Sequence, residues 1–370
     1  MLKVGIIGTG RIFDLNVLGY LNNEDVEITC LCNRNIEKAK IKSKEFSLKK
    51  DIHIYSDYKK MFLNENLDIV EILLPHHLHA EAVIEAAQNG IKGISVQKPM
   101  ALSLEDADKM IQSCDDSDSI LSIYENFIFS PHIIRAKKLI KQKKIGDILT
   151  MRIKVIMGSK GGWRIPESAK KWRNNPMHLG GAPKKGSPVL LDNGWHAFSL
   201  GYWFLDKKIE KVHAITDDYN NIDTPAYVIW KYKEDNNEHS IISQYGKLES
   251  CFMPEMEIPS KYYSTDEFIE FNGTEGMMWI NQCTSMGNKM TNSGIFPAIV
   301  IYKEGNIQSF SNFNKDWKYS FINATKYFIN IIKNGGEPIL SGKMGRYILK
   351  FNLAAIKSAL TNKEVFLDEN

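Results

Sequence analysis

VGIIGTGRIF, residues 4–13, runs from an apolar strand-like stretch through a glycine pair into the start of a helical pattern. Gly8-x-Gly10 after a first strand fits a dinucleotide fingerprint. One glycine permits the tight turn, and the next lets backbone approach a pyrophosphate. The helix behind them supplies unpaired N–H groups and the positive end of its dipole. The third glycine of that fingerprint is absent and Phe13 stands in its place, so helix–strand packing is expected to differ there. A bare Gly-x-Gly also describes a plain turn, but the elements around this one favour the phosphate-binding reading.

Outward from the turn, residues 1–125 alternate short apolar runs with helical patterns, as parallel strands joined by crossover helices do. Strands are expected at 3–7, 27–32, 69–74, 93–96 and 120–124. Helices are expected after Gly10, over 36–46, over 78–89 with Gly90 as the stop, and from Ser103, whose hydroxyl suits a cap with Asp106 three residues on. The pattern is doubly wound α/β. From about residue 126 the texture changes. After a helix over 133–143, alternating stretches such as ILTMRIKVIM and AYVIWKYKE predict a large open, mostly antiparallel sheet. Two late helices follow: one over 321–334, before Gly335-Gly336, and one at about 343–361, with an apolar stripe of Leu349, Leu353, Ile356 and Leu360. The expected domains are 1–125 and 126–370, with the last helix allowed to return to the first.

A length of 370 residues suits two such domains, and 43% hydrophobic with 25% charged residues excludes a disordered or fibrous chain. The net charge of +3 is small and no basic stripe with interleaved aromatics occurs. Nucleic acid and membrane are therefore not expected partners; a small molecule is. The amino terminus has no charged n-region or long apolar h-region, and no run of ~18 apolar residues occurs, so a cytoplasmic location is expected. Five scattered cysteines, Cys30, Cys32, Cys114, Cys251 and Cys283, argue against a disulfide framework.

After the second strand, Asn33 stands where a carboxylate would bind the ribose hydroxyls of NAD and repel a 2′-phosphate. Arg34 follows, able to stack on adenine or fork onto that phosphate. The expected cofactor is NAD(P), with NADP tolerated and its preference left open; the bland alternative is a solvated Arg34 opening a helix. In GISVQKPMALS, residues 93–103, Pro99 restricts Lys98 to extended backbone at a strand's carboxyl edge, where it either reaches water or serves a ligand. Residues 158–188 gather Trp163, Arg164, Trp172, Arg173 and His178 among glycines and prolines, a loop content that often carries function. His76, His77 and His79 invite a metal reading, but no carboxylate or cysteine set completes a site, so no metal is expected.

Gly8-x-Gly10, LPHHLHAEAVIEAAQNG (74–90), QKP (97–99), LLDNGWH (190–196) and FNGTEGMMWI (271–280) together resemble the Gfo/Idh/MocA family of NAD(P)-dependent oxidoreductases, over nearly the whole chain. The resemblance implies a Rossmann first domain, a second α/β domain whose open sheet forms a homodimer or homotetramer, and a sugar, inositol or related polyol as substrate. It assigns catalysis to Lys98, Asp192 and His196. It implies a cofactor site from Gly8, Gly10, Arg11, Ile12, Asn33, Arg34, Pro75, His76, His79, Gln97 and Lys98. The substrate site it implies draws on Lys98, Asn126, Trp163, Arg164, Trp172, Asp192 and His196.

The residue types suit that chemistry. Oxidising a secondary alcohol removes a hydride to nicotinamide and a proton from oxygen, and histidine is a base poised near neutral pH. Asp192 and His196, four apart, share a face if a helix begins there, and a cation at Lys98 favours developing alkoxide. Alone, His196 would read as a satisfied structural histidine; beside the other two it reads as catalytic. Two positions depart from the family pattern: Gln97 replaces a common glutamate, and Ser199 replaces an aspartate three residues after the histidine. Two other functions stay open, a glycosidase using held NAD for transient oxidation and a silent nucleotide-binding sensor, although a sensor has no need of a base.

Overall fold

In a computed structural model, residues 1–163, 189–234, 243–281, 297–314 and 316–367 are described. Two compact units divide the chain, Met1–Asn126 with Ser320–Leu349, and Phe127–Tyr319 with the segment from Lys350 onward.

The first unit holds β1 (Leu2–Ile7), β2 (Val26–Cys32), β3 (His53–Tyr55), β4 (Ile69–Ile72), β5 (Gly93–Gln97) and β6 (Ile120–Tyr124). They form one parallel Rossmann sheet in the order β3-β2-β1-β4-β5-β6. Val4, Ile6 and Ile7, like Ile69, Val70 and Ile72, are buried whichever face they take, as in a sheet covered on both sides. The crossovers carry α1 (Phe13–Leu21), α2 (Ile36–Glu45), α3 (Tyr58–Asn64), α4 (His79–Gln88) and α5 (Leu104–Asp116). Asn35, Asp57 and Ser103 cap three of these, their side chains accepting from Lys38 N, Lys59 N and Asp106 N. β4 stops two residues before the expected Leu74: Leu73 N makes the last ladder bond, to Ile7 O, where β1 itself ends, and Pro75 opens a 3₁₀ turn over His76–Leu78. Phe13, where the third glycine would stand, is wholly buried and meets Phe46 edge to face at 5.7 Å.

The second unit begins with α6 (Pro131–Lys141), whose proline occupies the first turn where a fixed φ is already helical. Its sheet comprises β7 (Ile148–Lys160), β8 (Ile209–Thr216), β9 (Ala226–Tyr232), β10 (Tyr245–Glu257), β11 (Thr265–Gly273), β12 (Met277–Ile280), β13 (Ile299–Lys303), β14 (Asn306–Phe310) and β15 (Val365–Phe366). The order is β14-β13-β12-β11-β7-β10-β9-β8-β15, and every pairing is antiparallel except β7 with β10. Gly158, expected in a loop, pairs with Met253 and lies within β7, which runs to Lys160. A π-helical turn, Val189–Asn193, leads into α7 (Gly194–Leu205).

Of the late helices α8 (Lys318–Asn334) and α9 (Gly342–Thr361), the first sends Phe328, Ile329 and Ile332 into the core formed by Val4, Ile6, Phe13 and Ile69. Gly335 and Gly336 follow α8 with φ values of 81° and 118°, a backbone suited to helix termination. Among the described residues no helix is long and apolar enough to cross a membrane.

Candidate functional site

Parallel strands deliver their following loops to one edge of a sheet, and in this strand order the connections diverge between β1 and β4. Ligands bind at such a switch point, outside the carboxyl ends of the strands. The first unit places Gly8 and Gly10 after β1, Asn33 and Arg34 after β2, Pro75 and His76 after β4, and Lys98 after β5. Gly8 has φ 96°, and a Cβ there would lie 2.4 Å from Leu73 O, so only glycine fits. Gly10 is the opposite case: a Cβ there would meet nothing within 4 Å. The backbone is thus open on that side, just ahead of the α1 amino terminus. Ile12 is half-buried, and exposed Arg11 pairs with Asp14 at 4.0 Å.

The Asn33 side chain holds the turn from the neighbouring strand. Its Nδ2 donates to Thr9 Oγ1 at 2.7 Å, while its Oδ1 accepts from Asn35 N at 2.9 Å. Arg34 is exposed. His79 is wholly buried, with its ring nitrogens 2.9 Å from Pro99 O and 2.8 Å from Leu74 O. Burial pushes its pKa down, opposed by the surrounding backbone carbonyls, and the ring sits between the segments that follow β4 and β5. His76 is buried against His79, and Pro75 is half-buried.

Beneath this edge runs a polar chain that the sequence did not expose. Gln97 Nε2 donates to Asn16 Oδ1 at 3.4 Å. Asn16 Nδ2 donates to Glu71 Oε1 at 3.2 Å, and Tyr20 OH donates to Glu71 Oε2 at 2.7 Å. Burial pushes the Glu71 carboxyl up to about 8, against the opposing hydrogen bonds from Tyr20, Ser95 and Asn16. Half-buried Lys98 follows directly on Gln97, and the Lys98–Pro99 peptide is cis. Asn126 is buried and donates to Ser320 Oγ at 2.8 Å.

In the second unit, Asp192 does not lie on an α-helix as its spacing to His196 suggested. It sits in the π turn, and α7 starts only at Gly194. The physical reason lies in two buried side chains. Asp223 accepts from Val189 N at 2.7 Å and Leu190 N at 2.9 Å, and Asn352 Nδ2 donates to Leu190 O at 3.0 Å and Leu191 O at 3.2 Å. Burial raises the Asp223 carboxyl to about 7, opposed by the two backbone donors. Asp192 is buried and His196 half-buried, its ring 4.7 Å from that of Phe127. From Phe127 a line of aromatics continues through Trp317 and Tyr262 to Trp163, at 6.0, 5.5 and 5.4 Å between successive rings. Ser199 is wholly buried. Arg164, Trp172, Arg173 and His178 lie outside the described residues. Among those described, no group of three or more His, Cys, Asp or Glu side chains is arranged to hold a metal ion.

The residues present fit a dinucleotide. The open side of Gly10 and the amino end of α1 suit a pyrophosphate, and Asn33 and Arg34 follow β2, the strand beside β1 in the sheet. Comparison with known proteins agrees. Residues 2–125 match the model of an oxidoreductase family with an NAD-binding Rossmann fold, and residues 133–279 match the Gfo/Idh/MocA C-terminal domain. A myo-inositol 2-dehydrogenase of Thermotoga maritima is 22% identical over 100% of this chain and 99% of that protein. A 2,7-anhydro-N-acetylneuraminate hydratase of Mediterraneibacter gnavus is 28% identical over 86% of each. The crystal structure of a probable dehydrogenase from Thermotoga maritima shares the fold, with a TM-score of 0.75 at 20% identity over 100% of this chain and 99% of that one. Fold, glycine turn and both matched domains agree that the chain belongs to the Gfo/Idh/MocA family of oxidoreductases.

Proposed function

We propose that this protein transfers a hydride between NAD(P) and a secondary hydroxyl or ketone of a sugar, inositol or related polyol. The observation that carries the reading is the glycine turn. Gly8 is forced by Leu73 O, while Gly10 leaves its side open before a helix amino terminus, as a pyrophosphate requires. The nicotinamide, when bound, supplies the hydride acceptor or donor. In the oxidative direction His196 takes the hydroxyl proton on its ring, Asp192 accepts a hydrogen bond that orients the reacting group, and the Lys98 ammonium favours the developing negative charge on oxygen. The full length shared with a relative named for myo-inositol supports a polyol. NADP is accepted through Arg34.

The relative named as a hydratase favours a second reading, in which the same groups work without net nicotinamide turnover, as in glycoside cleavage by transient oxidation. One experiment separates them. The protein is incubated with NAD or NADP and a panel of inositols and aldoses, followed by nicotinamide absorbance, and in parallel with chromogenic glycosides. Reduced cofactor accumulating with a polyol supports the first reading; aglycone release at constant cofactor supports the second. A homodimer or homotetramer forms through the second sheet, whose outer face exposes Ile215, Tyr227, Ile229 and Tyr245, and the location is cytoplasmic. Light scattering tests the assembly.

A further inference from the structure

A π turn closes its bonds from residue i to i−5, so the N–H groups of its first residues have no partner within it, and its widened carbonyls are open to a further donor. Here both kinds are met by buried side chains from distant parts of the second unit. Asp223, 4% exposed, takes the N–H groups of Val189 and Leu190, and Asn352, wholly buried on α9, gives its amide protons to Leu190 O and Leu191 O. The orientation of Asn352 is informative. Among the described residues its Oδ1 is buried without a hydrogen-bond partner, so the amide leaves its own oxygen unmet while it binds two consecutive carbonyls. An apolar side chain of the same size would fill the space without that orphan. The amide is therefore poorly explained by packing and well explained by what it grips.

We propose that Asp223 and Asn352 are positioning residues, which clamp the Val189–Asn193 turn from its donor and acceptor sides and thereby fix Asp192 and the following His196 for proton transfer. Neither touches the reacting groups. Asp223 acts on the first two residues of the turn and Asn352 on the carbonyls immediately before Asp192, so loosening either lets the Asp192 carboxylate swing relative to the first turn of α7. The inference rests on the reading of Asp192 and His196 as the groups that handle the substrate proton.

The test uses the full chain with Asp223→Asn, Asn352→Leu and, as reference, Asp192→Asn. In protein labelled with ¹³C-histidine, the His196 ring signal is assigned by its loss in His196→Ala and followed through a pH titration. Turnover is measured on whichever inositol or aldose the unaltered protein oxidises. The clamp predicts that Asp223→Asn and Asn352→Leu each lower kcat by about 10- to 100-fold while KM for the cofactor stays put. It also predicts that both displace the His196 titration in the direction given by Asp192→Asn. Folded variants with unaltered kcat and His196 titration overturn it, even if they melt earlier, because a merely structural role moves stability alone. If Asp223→Asn does not fold, Asn352→Leu decides. If the unaltered protein oxidises no member of the panel, the proposed function fails, and the His196 titration alone still decides the clamp.

Discussion

The Asn33 amide donates to the Thr9 hydroxyl at 2.7 Å, joining the end of β2 to the middle residue of the glycine turn. On the proposed cofactor site, the residue that sets the charge at the ribose thus also holds the backbone of the glycine turn. Aspartate at this site keeps both contacts, since the Thr9 hydroxyl can donate to a carboxylate and Asn35 N still finds an oxygen. Asn33→Asp is therefore expected to leave thermal stability unchanged and to weaken NADP by at least about tenfold while sparing NAD, because a carboxylate repels a 2′-phosphate. Fluorescence titration with both cofactors checks it, and equal effects on the two would remove Asn33 from the ribose site.

Arg34 is exposed directly after β2, and on the proposed cofactor site its guanidinium forks onto a 2′-phosphate. Arg34→Ala should cost NADP roughly 1.5 to 3 kcal/mol of binding energy and NAD much less. Identical losses would show that the side chain stacks on the base or faces solvent.

The two glycines of the turn should fail in different ways. A Cβ at Gly10 meets no atom of the described residues within 4 Å, so Gly10→Asp should fold normally and lose cofactor binding, its carboxylate occupying the pyrophosphate position. Gly8→Ala instead meets Leu73 O and an unfavourable φ, and should lose stability first. Melting curves with and without NAD(P) distinguish these outcomes. A Gly10→Asp protein that is still stabilised by cofactor would contradict the assigned turn.

Glu71 makes the pH dependence of folding testable. Burial lifts its carboxyl to about 8, so the folded state holds a proton that the unfolded chain releases in the ordinary glutamate range. The contribution is complete below that range and is lost as pH rises to about 8, at roughly 1.4 kcal/mol per pH unit. Glu71→Gln keeps hydrogen-bonding atoms for Asn16 and Tyr20 and has nothing to ionise. Chemical denaturation at about pH 5, 7 and 9 should show a fall in stability that the variant lacks. Parallel pH profiles would show that Glu71 is not protonated in the folded protein.

The parallel half of the fold was legible because strands covered on both faces stay apolar throughout, as Ile69, Val70 and Ile72 do, and because Gly8 and Gly90 punctuate it. His53–Tyr55 was not legible: three residues display no period. Nor could spacing show that Phe328, Ile329 and Ile332 complete the core around Val4 and Ile6, since a helical stripe does not name what it packs against. The site divides the same way. Gly10, Lys98 and His196 carry local signals, whereas Glu71 reads as a lapse in an apolar strand until Asn16 and Tyr20 of α1 are found facing it. The π turn at Asp192 is set by Asp223 and Asn352, distant in sequence and invisible in LLDNGWH.

On the proposed function, Lys98 supports a proton transfer performed by His196 on a polyol hydroxyl, and the glycine turn holds the nicotinamide cofactor independently of both. Residues that act as a unit are non-additive when removed together. The direct measurement is kcat for Lys98→Met, His196→Ala and the double variant on the polyol that the unaltered protein oxidises, with NAD(P) affinity measured beside it. Each single change should lower kcat by roughly 10² to 10⁴, the double change by little more, and cofactor affinity should survive in all three. A folded Lys98→Met protein that turns over its substrate normally would contradict the account and leave Lys98 as a strand-end lysine reaching for water.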